Sequence, residues 1–269
     1  MEHQDIINKI TDKMKNKMIV TDDYKFTSIL PDGYKLSDKV VIYYTGQWKI
    51  IQLKLFTSYP VIYDVFSEED ISYDISVIVC PITLRCTVLK GLFVFETYDN
   101  LRMILREKGT ETLIPIDMGT KINSDHVLIK NRRSEIRITI LRNAIRLFTD
   151  ANFLSLNKDI KYDSVVNLDY YLSSSDIIGK EIDGLIHPKT LVYLIQYKSQ
   201  EDEKEKISVL LGKDCSKISV TGYDIKASGL LNYLEKYKNK IINKEGYIIP
   251  MLWFMVKEIY NDYKVIYIT

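Results

Sequence analysis

The sequence predicts an α+β chain made of two related halves, each a curved antiparallel sheet carrying a long C-terminal helix. Three observations predict it. Stretches rich in Ile, Val and Tyr alternate with acidic or polar turns, the pattern of antiparallel strands. Two stretches carry apolar residues at helical spacing instead. The order strand, acidic turn, strand, tight turn, strand, helix also occurs twice at a nearly constant separation. Composition permits this: 269 residues, 46% of them apolar and 27% charged, can hold one large domain or two fused halves around a real core.

Residues 1–17 begin the chain with Ile6, Ile10 and Met14, continued by Met18, four residues apart in a Lys/Asn/Asp background. That spacing predicts a thin amphipathic helix, packed on the body or docked on a partner. The first half spans 18–110. MIVTDDYKFTSIL (18–30), VVIYYTG (40–46), WKIIQLKLF (48–56) and YPVIYDVF (59–66) read as strands, and SEEDISYD as an acidic turn. ISVIVCP (75–81) and ITLRCTVLKG (82–91) follow as strands. ETYDNLRMILREKG (96–109) then puts Tyr98, Leu101, Ile104 and Leu105 on one helical face, predicting a helix over 97–107.

A boundary falls near Lys108–Thr112, and residues 111–160 read as inserted strands. The second half spans 161–245. It opens on YDSVVNLDYYL (162–172) and a polar SSSDIIGKEIDGL whose serines can cap a short helix. HPKTLVYLIQYK (187–198), the acidic turn SQEDEKE, KISVLLG (206–212), the turn KDCS and KISVTG (217–222) then repeat the earlier order. Ala227, Leu230, Leu231, Leu234 and Ile241 form one stripe of a helix over 227–241. Residues 246–269 are an apolar extension in which Ile249, Trp253 and Val256 stand at helical spacing, a contact surface for the body or another chain. The landmarks of the repeat keep their distance: 128 residues from Pro60 to Pro188, 132 from Ile75 to Ile207, 131 from Gly91 to Gly222. The alternative is two unrelated β-meanders, each followed by a helix.

The 37 basic and 36 acidic residues leave a net charge of +1, so any nucleic-acid binding must come from a local face. The start, MEHQDIINKI, lacks the charged-then-apolar layout of a signal peptide. The longest apolar run, Tyr247 to Val256, falls short of the roughly 20 residues of a membrane span. Three cysteines without knot-like spacing fit a reducing compartment. A soluble intracellular protein with no membrane contact is expected. Alanine occurs only at 144, 151 and 227, while Ile, Lys, Asp and Tyr abound. This codon bias points to an A/T-rich genome such as that of a large DNA virus, and so to a host nucleus or a cytoplasmic viral factory.

A strand of the type YPVIY or HPKTLVY, an Ile/Val strand, a turn, a strand ending in Thr-Gly and a long helix resembles the repeat of the TATA-binding protein family. KISVTGYDIKASGLLNYLEKYKNK is similar to that family's strand and helix after its turn. The resemblance covers roughly 18–108 and 160–243. It implies a saddle, with a concave sheet for the DNA minor groove and helices on the convex back for other transcription factors. In such binders apolar wedges unstack base steps and bend the duplex. Carried over, the wedge positions are Tyr59, Cys80, His187 and Gly212, of which only Tyr59 is a large wedge. Thr221 matches a base-contacting threonine, whose counterpart in the first half is Lys90. The family's central asparagines have no match, because MIVTDD and DSVVNL stand there. The fold therefore carries over better than sharp TATA-specific bending. Phosphate contacts fall to Lys90, Arg132, Arg133 and Lys198 along the rim.

EIDGLIHP (181–188), with LIQYK after it, also resembles the covalent nucleotidyltransferases, the DNA ligases and capping enzymes. Their Lys-x-Asp-Gly nucleophile is missing here, so the resemblance implies an inactive relative. CPITLRC (80–86) sets two thiols on strands where a metal is conceivable, yet zinc sites use closer pairs and a second pair elsewhere. Buried inert cysteines fit better. His3, His126 and His187 are scattered, and no Gly-rich phosphate loop or catalytic motif occurs. Neither catalysis, metal nor cofactor is expected. The basic clusters KNRRSEIR (130–137) and EKYKNKIINK (235–244) read either as solvated surface or as contacts, Arg132 and Arg133 to phosphate and Lys236 and Lys238 to a partner. The expected function is a transcription initiation factor of the TATA-binding type, acting on double-stranded DNA or assembling transcription proteins. Its alternatives are an interaction protein that kept the saddle and lost DNA, and the inactive nucleotidyltransferase.

Overall fold

The computed structural model describes residues 3–99, 101–116, 136–157, 160, 167, 190–198, 205–212, 247–259 and 262–268. The fold is α+β, with mixed open sheets and few helices among the described residues. The chain forms two compact units. One comprises Met1–Ile82 with Cys86–Leu168, the other Thr83–Arg85 with Asp169–Thr269. The expected boundary near Lys108–Thr112 lies inside the first unit.

The first unit starts with helix α1 (His3–Met14). Ile7, Ile10 and Met14 are its buried stripe, so the N-terminal helix packs on the body. The helix ends at Asn16, which takes the left-handed conformation at φ 59° and donates its N–H to the Phe95 carbonyl at 3.1 Å. Asparagine tolerates this geometry better than a branched residue, and the chain turns into β1 (Met18–Ile19).

A four-stranded sheet has the order β1-β5-β6-β7, with β5 (Val61–Glu68), β6 (Ile71–Val79) and β7 (Cys86–Lys90). β1 runs parallel to β5 and the other pairs are antiparallel. A five-stranded sheet has the order β11-β3-β4-β12-β2. Its strands are β2 (Tyr24–Thr27), β3 (Lys39–Tyr44), β4 (Trp48–Gln52), β11 (Arg137–Ile140) and β12 (Asn152–Leu156). Of the segment expected as inserted strands, Arg137–Ile140 and Asn152–Leu156 are thus built into this sheet. The tip of the β3–β4 hairpin abuts the end of β5, where Ser67 N–H donates to the Thr45 carbonyl at 3.3 Å. Gly46 makes this approach possible: its φ is +92°, and a Cβ there would lie 1.8 Å from the Ser67 carbonyl oxygen.

Three expectations for this unit need correction. The strand expected over 48–56 stops at Gln52, and Leu53–Thr57 is a turn of 3₁₀-helix. The inserted segment also holds a helix, α2 (Leu141–Leu147). There Leu141, Ala144 and Phe148 switch to helical spacing and join a core with Val40, Ile42, Ile50 and Phe153. The largest correction concerns 97–107. No helix forms; β8 (Phe93–Asp99) and β9 (Arg102–Glu107) make an antiparallel hairpin, extended by β10 (Leu113–Pro115) in the order β10-β9-β8. Leu101 turns the chain at φ 65°. Residues 98, 101, 104 and 105 fit a helical face, but Leu101, Met103 and Leu105 are buried in alternation with the exposed Arg102 and the half-buried Ile104 and Arg106. Tertiary burial on a two-residue period overrode a short helical stripe.

In the second unit the sheet order is β15-β13-β14-β16, from β13 (Leu191–Lys198), β14 (Glu205–Gly212), β15 (Tyr247–Leu252) and β16 (Lys264–Ile268). The hairpin β13–β14 is the counterpart that the repeat gives to β5–β6, and both exist with antiparallel pairing. Their surroundings differ. β14 is flanked by β13 and, in parallel, by β16 over Ser208–Gly212, which occupies the edge where the repeat puts its third strand, 217–222. That strand and the helix expected over 227–241 lie outside the described residues. The long helices of a saddle are not seen among the described residues. The extension is not one helix from Ile249 onward: it is strand to Leu252 and then α3 (Trp253–Ile259). Pro250 disfavours a helix interior, and Ile249 faces Leu194 in the ladder. No helix among the described residues is long and apolar enough to cross a membrane.

Candidate functional site

Two features of the first unit stand out. The first is a buried polar cluster formed where β2, β3, β4 and β5 meet. Lys49 on β4 holds both carboxylate oxygens of Asp64 on β5, at 2.9 and 2.7 Å. The Tyr43 hydroxyl on β3 donates to the same carboxylate at 2.8 Å. Lys49 and Asp64 are 6% and 5% exposed, which removes both charges from water and makes their pairing obligatory. The Lys49 ammonium also lies 4.5 Å from the centroid of the Phe26 ring on β2. Tyr24, on the same face of β2, donates its hydroxyl to the Tyr63 carbonyl at 2.6 Å and meets Phe26 edge-on. Burial, then the Asp64 charge, pushes the Tyr43 and Tyr24 hydroxyls far above their ordinary range, so both stay protonated donors. The ammonium, carboxylate and phenol spend their bonding capacity on one another. Chemically this is a closed internal clasp between two sheets.

The second feature is the loop Ser28–Asp38 between β2 and β3. Ile29 is 77%, Leu36 50% and Leu30 37% exposed. The half of the loop from Gly33 onward is tied to the body. The Tyr34 hydroxyl donates to the Leu154 carbonyl at 2.8 Å, with its ring edge-on to Phe153. Gln52 donates from Nε2 to the Gly33 carbonyl at 3.2 Å and to the Asp38 carboxylate at 2.7 Å. The same carboxylate accepts the Lys35 N–H at 2.9 Å. The first turn of α2 has no side-chain cap; its N–H donors at Leu141 and Arg142 bond the Asp38 and Leu36 carbonyls at 2.8 and 3.0 Å instead. The five points that pin the loop lie between Gly33 and Asp38; Leu36 is exposed within that part, and Ile29 and Leu30 before it.

The residues singled out from the sequence are dispersed. Tyr59 is half-buried behind the 3₁₀ turn, its N–H bonded to the Leu55 carbonyl at 3.0 Å. Cys80 is buried, and its thiol donates to the Tyr98 hydroxyl at 3.7 Å. Lys90 is exposed, with its ammonium 4.8 Å from the Tyr73 ring centroid. Cys80 and Lys90 stand at opposite ends of the β6–β7 ladder, since Val79 pairs with Cys86 and Ile75 with Lys90. Lys198 closes β13 opposite Glu205, and Gly212 ends β14 opposite Ile268. Trp253 and Val256, expected on a partner surface, are buried in the second unit; Trp253 donates its N–H to the Thr190 carbonyl at 2.8 Å and meets Tyr263 edge-on. Arg132, Arg133, His187, Thr221, Lys236 and Lys238 lie outside the described residues. Cys80 and Cys86 are buried thiols not joined in a disulfide, and burial followed by the nearby Cys80 pushes the Cys86 thiol up. No group of three potential metal ligands occurs among the described residues.

Sequence reading missed both features for different reasons. A lysine in WKIIQ and an aspartate in VIYDVF look like solvent-facing strand positions, and nothing local marks them as a pair. The loop did carry a signal: SILPDGYKLSDK holds a Pro-Asp-Gly turn with apolar residues on either side. No family model, curated protein or solved structure matches this chain.

Proposed function

We propose that the chain is a non-catalytic assembly protein, in the transcription setting that its sequence resemblance implies, and that it docks a protein partner through the loop Ser28–Asp38. The observation that carries this reading is one loop that exposes Ile29, Leu30 and Leu36 and whose Gly33–Asp38 half is anchored to the body. Pre-organised apolar groups bind with little ordering cost, which is what an assembly surface requires. Protein docking is favoured over duplex bending by the state of the wedge positions. Cys80 is buried and Tyr59 half-buried, so neither offers a free apolar edge to a base step.

The test is purification of the tagged full chain from its own cells, with the mass of the complex measured. Ile29→Asp combined with Leu36→Asp is expected to abolish a stoichiometric complex while leaving the unfolding midpoint unchanged. Ile71→Asp, at another exposed apolar position, is expected to retain it. A complex that survives the loop variant would refute the assignment.

A further inference from the structure

Resting on that docking reading, we propose that the partner supplies an extended segment that adds as a sixth strand along β2, clasped by Ile29 and Leu30. Among the described residues β2 is an edge of its five-stranded sheet, with β12 as its one ladder partner. The direction of its free backbone groups follows from the register. Asn157 N–H donates to the Asp23 carbonyl at 2.8 Å, one step beyond the Leu156–Tyr24 pair, so Asp23 is at a bonded position. Bonded and non-bonded positions alternate in an antiparallel ladder, so Lys25 and Thr27 face β12 and the N–H and C=O of Tyr24 and Phe26 point outward. An outward row of donors and acceptors is met in full by another extended backbone.

The side chains at this edge define the occupant. Phe26 is half-buried, with its ring over the buried Lys49 ammonium, so an incoming apolar residue would cover what remains of its exposed edge. On the other face of β2, Lys25 is exposed and calls for an acidic residue in the cross-strand position. Just past the strand, Ile29 and Leu30 extend the apolar strip. The segment that fits is therefore extended, with apolar residues on alternate positions and an acidic residue between them. A helix would leave the Phe26 backbone groups unmet.

A displayed library of random peptides, selected on the full chain, tests this directly. Enriched peptides should show the alternating apolar and acidic pattern. N-methylation at every second residue should weaken them about tenfold per lost bond. The Phe26 amide, fast to exchange in the free chain, should become protected from deuterium on binding, and Ile29→Asp should weaken binding. Peptides that need Ile29 but tolerate N-methylation at every position would overturn strand addition and leave loop docking standing. Peptides indifferent to both changes, or no enrichment at all, would overturn both.

Discussion

Replacing Lys49 with methionine removes one half of the clasp and leaves Asp64, 5% exposed, without its counter-charge and with phenol hydroxyls as its donors. A buried charge stripped of its partner costs about 3–5 kcal/mol, a large part of the roughly 5–15 kcal/mol that holds a domain folded. Tyr43→Phe removes one bond to a charged acceptor and should cost about 1.5–3 kcal/mol. The informative variant is the double one. Lys49→Met with Asp64→Leu removes both charges together and leaves only the Tyr43 hydroxyl without its acceptor, an expected loss of about 1–3 kcal/mol. The double variant should thus be no worse than Lys49→Met alone, a coupling of at least about 2 kcal/mol between two residues in direct contact. Urea unfolding measures it. The two tryptophans fall one in each unit, Trp48 in the first and Trp253 in the second, so a Trp253→Phe background reports on the first unit. The slope against urea should stay constant while the midpoint moves. If Lys49→Met cost less than about 1 kcal/mol, or the two single losses simply added, the clasp would not be the buried, mutually dependent pair inferred from its geometry.

Gly46→Ala should destabilise by at least about 2 kcal/mol, because the left-handed backbone is strained and the Cβ would meet the Ser67 carbonyl; Gly33→Ala, with a similar φ of +90° and nothing within 4 Å, should cost only the strain, about 1 kcal/mol. Thermal midpoints of the two variants make the comparison. Lys15, then Arg106, holds the Glu96 carboxyl below its ordinary value of 4.5. Its contribution is therefore complete above about pH 4.5 and is lost as acid takes the pH through the lowered folded value. Glu96→Gln should cost about 1 kcal/mol or less at neutral pH and flatten that acidic part of the stability profile. Cys80 and Cys86 should react with a thiol reagent only on unfolding, and prompt native labelling of either would contradict their burial.

Strands marked by apolar runs between turns were legible in the sequence. β3, β5, β6 and β13 lie where short runs rich in Ile, Val and Tyr are bounded by polar turns, because such a run is a local strand signal. The stretch 97–107 was not legible, since Tyr98, Leu101, Ile104 and Leu105 satisfy a helical period as well as Met103 and Leu105 satisfy a strand period. Only the neighbours that bury the second set decide between them. The repeat foresaw two hairpins but not the strand beside β14, because β16 arrives from the far end of the chain in parallel. Lys49 and Asp64 were invisible for a similar reason: each looks solvated until the pairing of sheets brings them together. Ile29, Leu30 and Leu36 looked like ordinary loop residues, and what sets them apart is their joint exposure on a loop whose second half Tyr34, Gln52 and Asp38 anchor.

Site-specific photocrosslinking bears most directly on the assembly surface. A benzophenone amino acid placed in turn at positions 29, 36 and 71 of the full chain, then irradiated in its own cells, reports what each position touches. Docking through the loop predicts one protein adduct of the same mass from 29 and 36 and none of that mass from 71. Adducts to duplex DNA from the loop positions, or none from either, would contradict it.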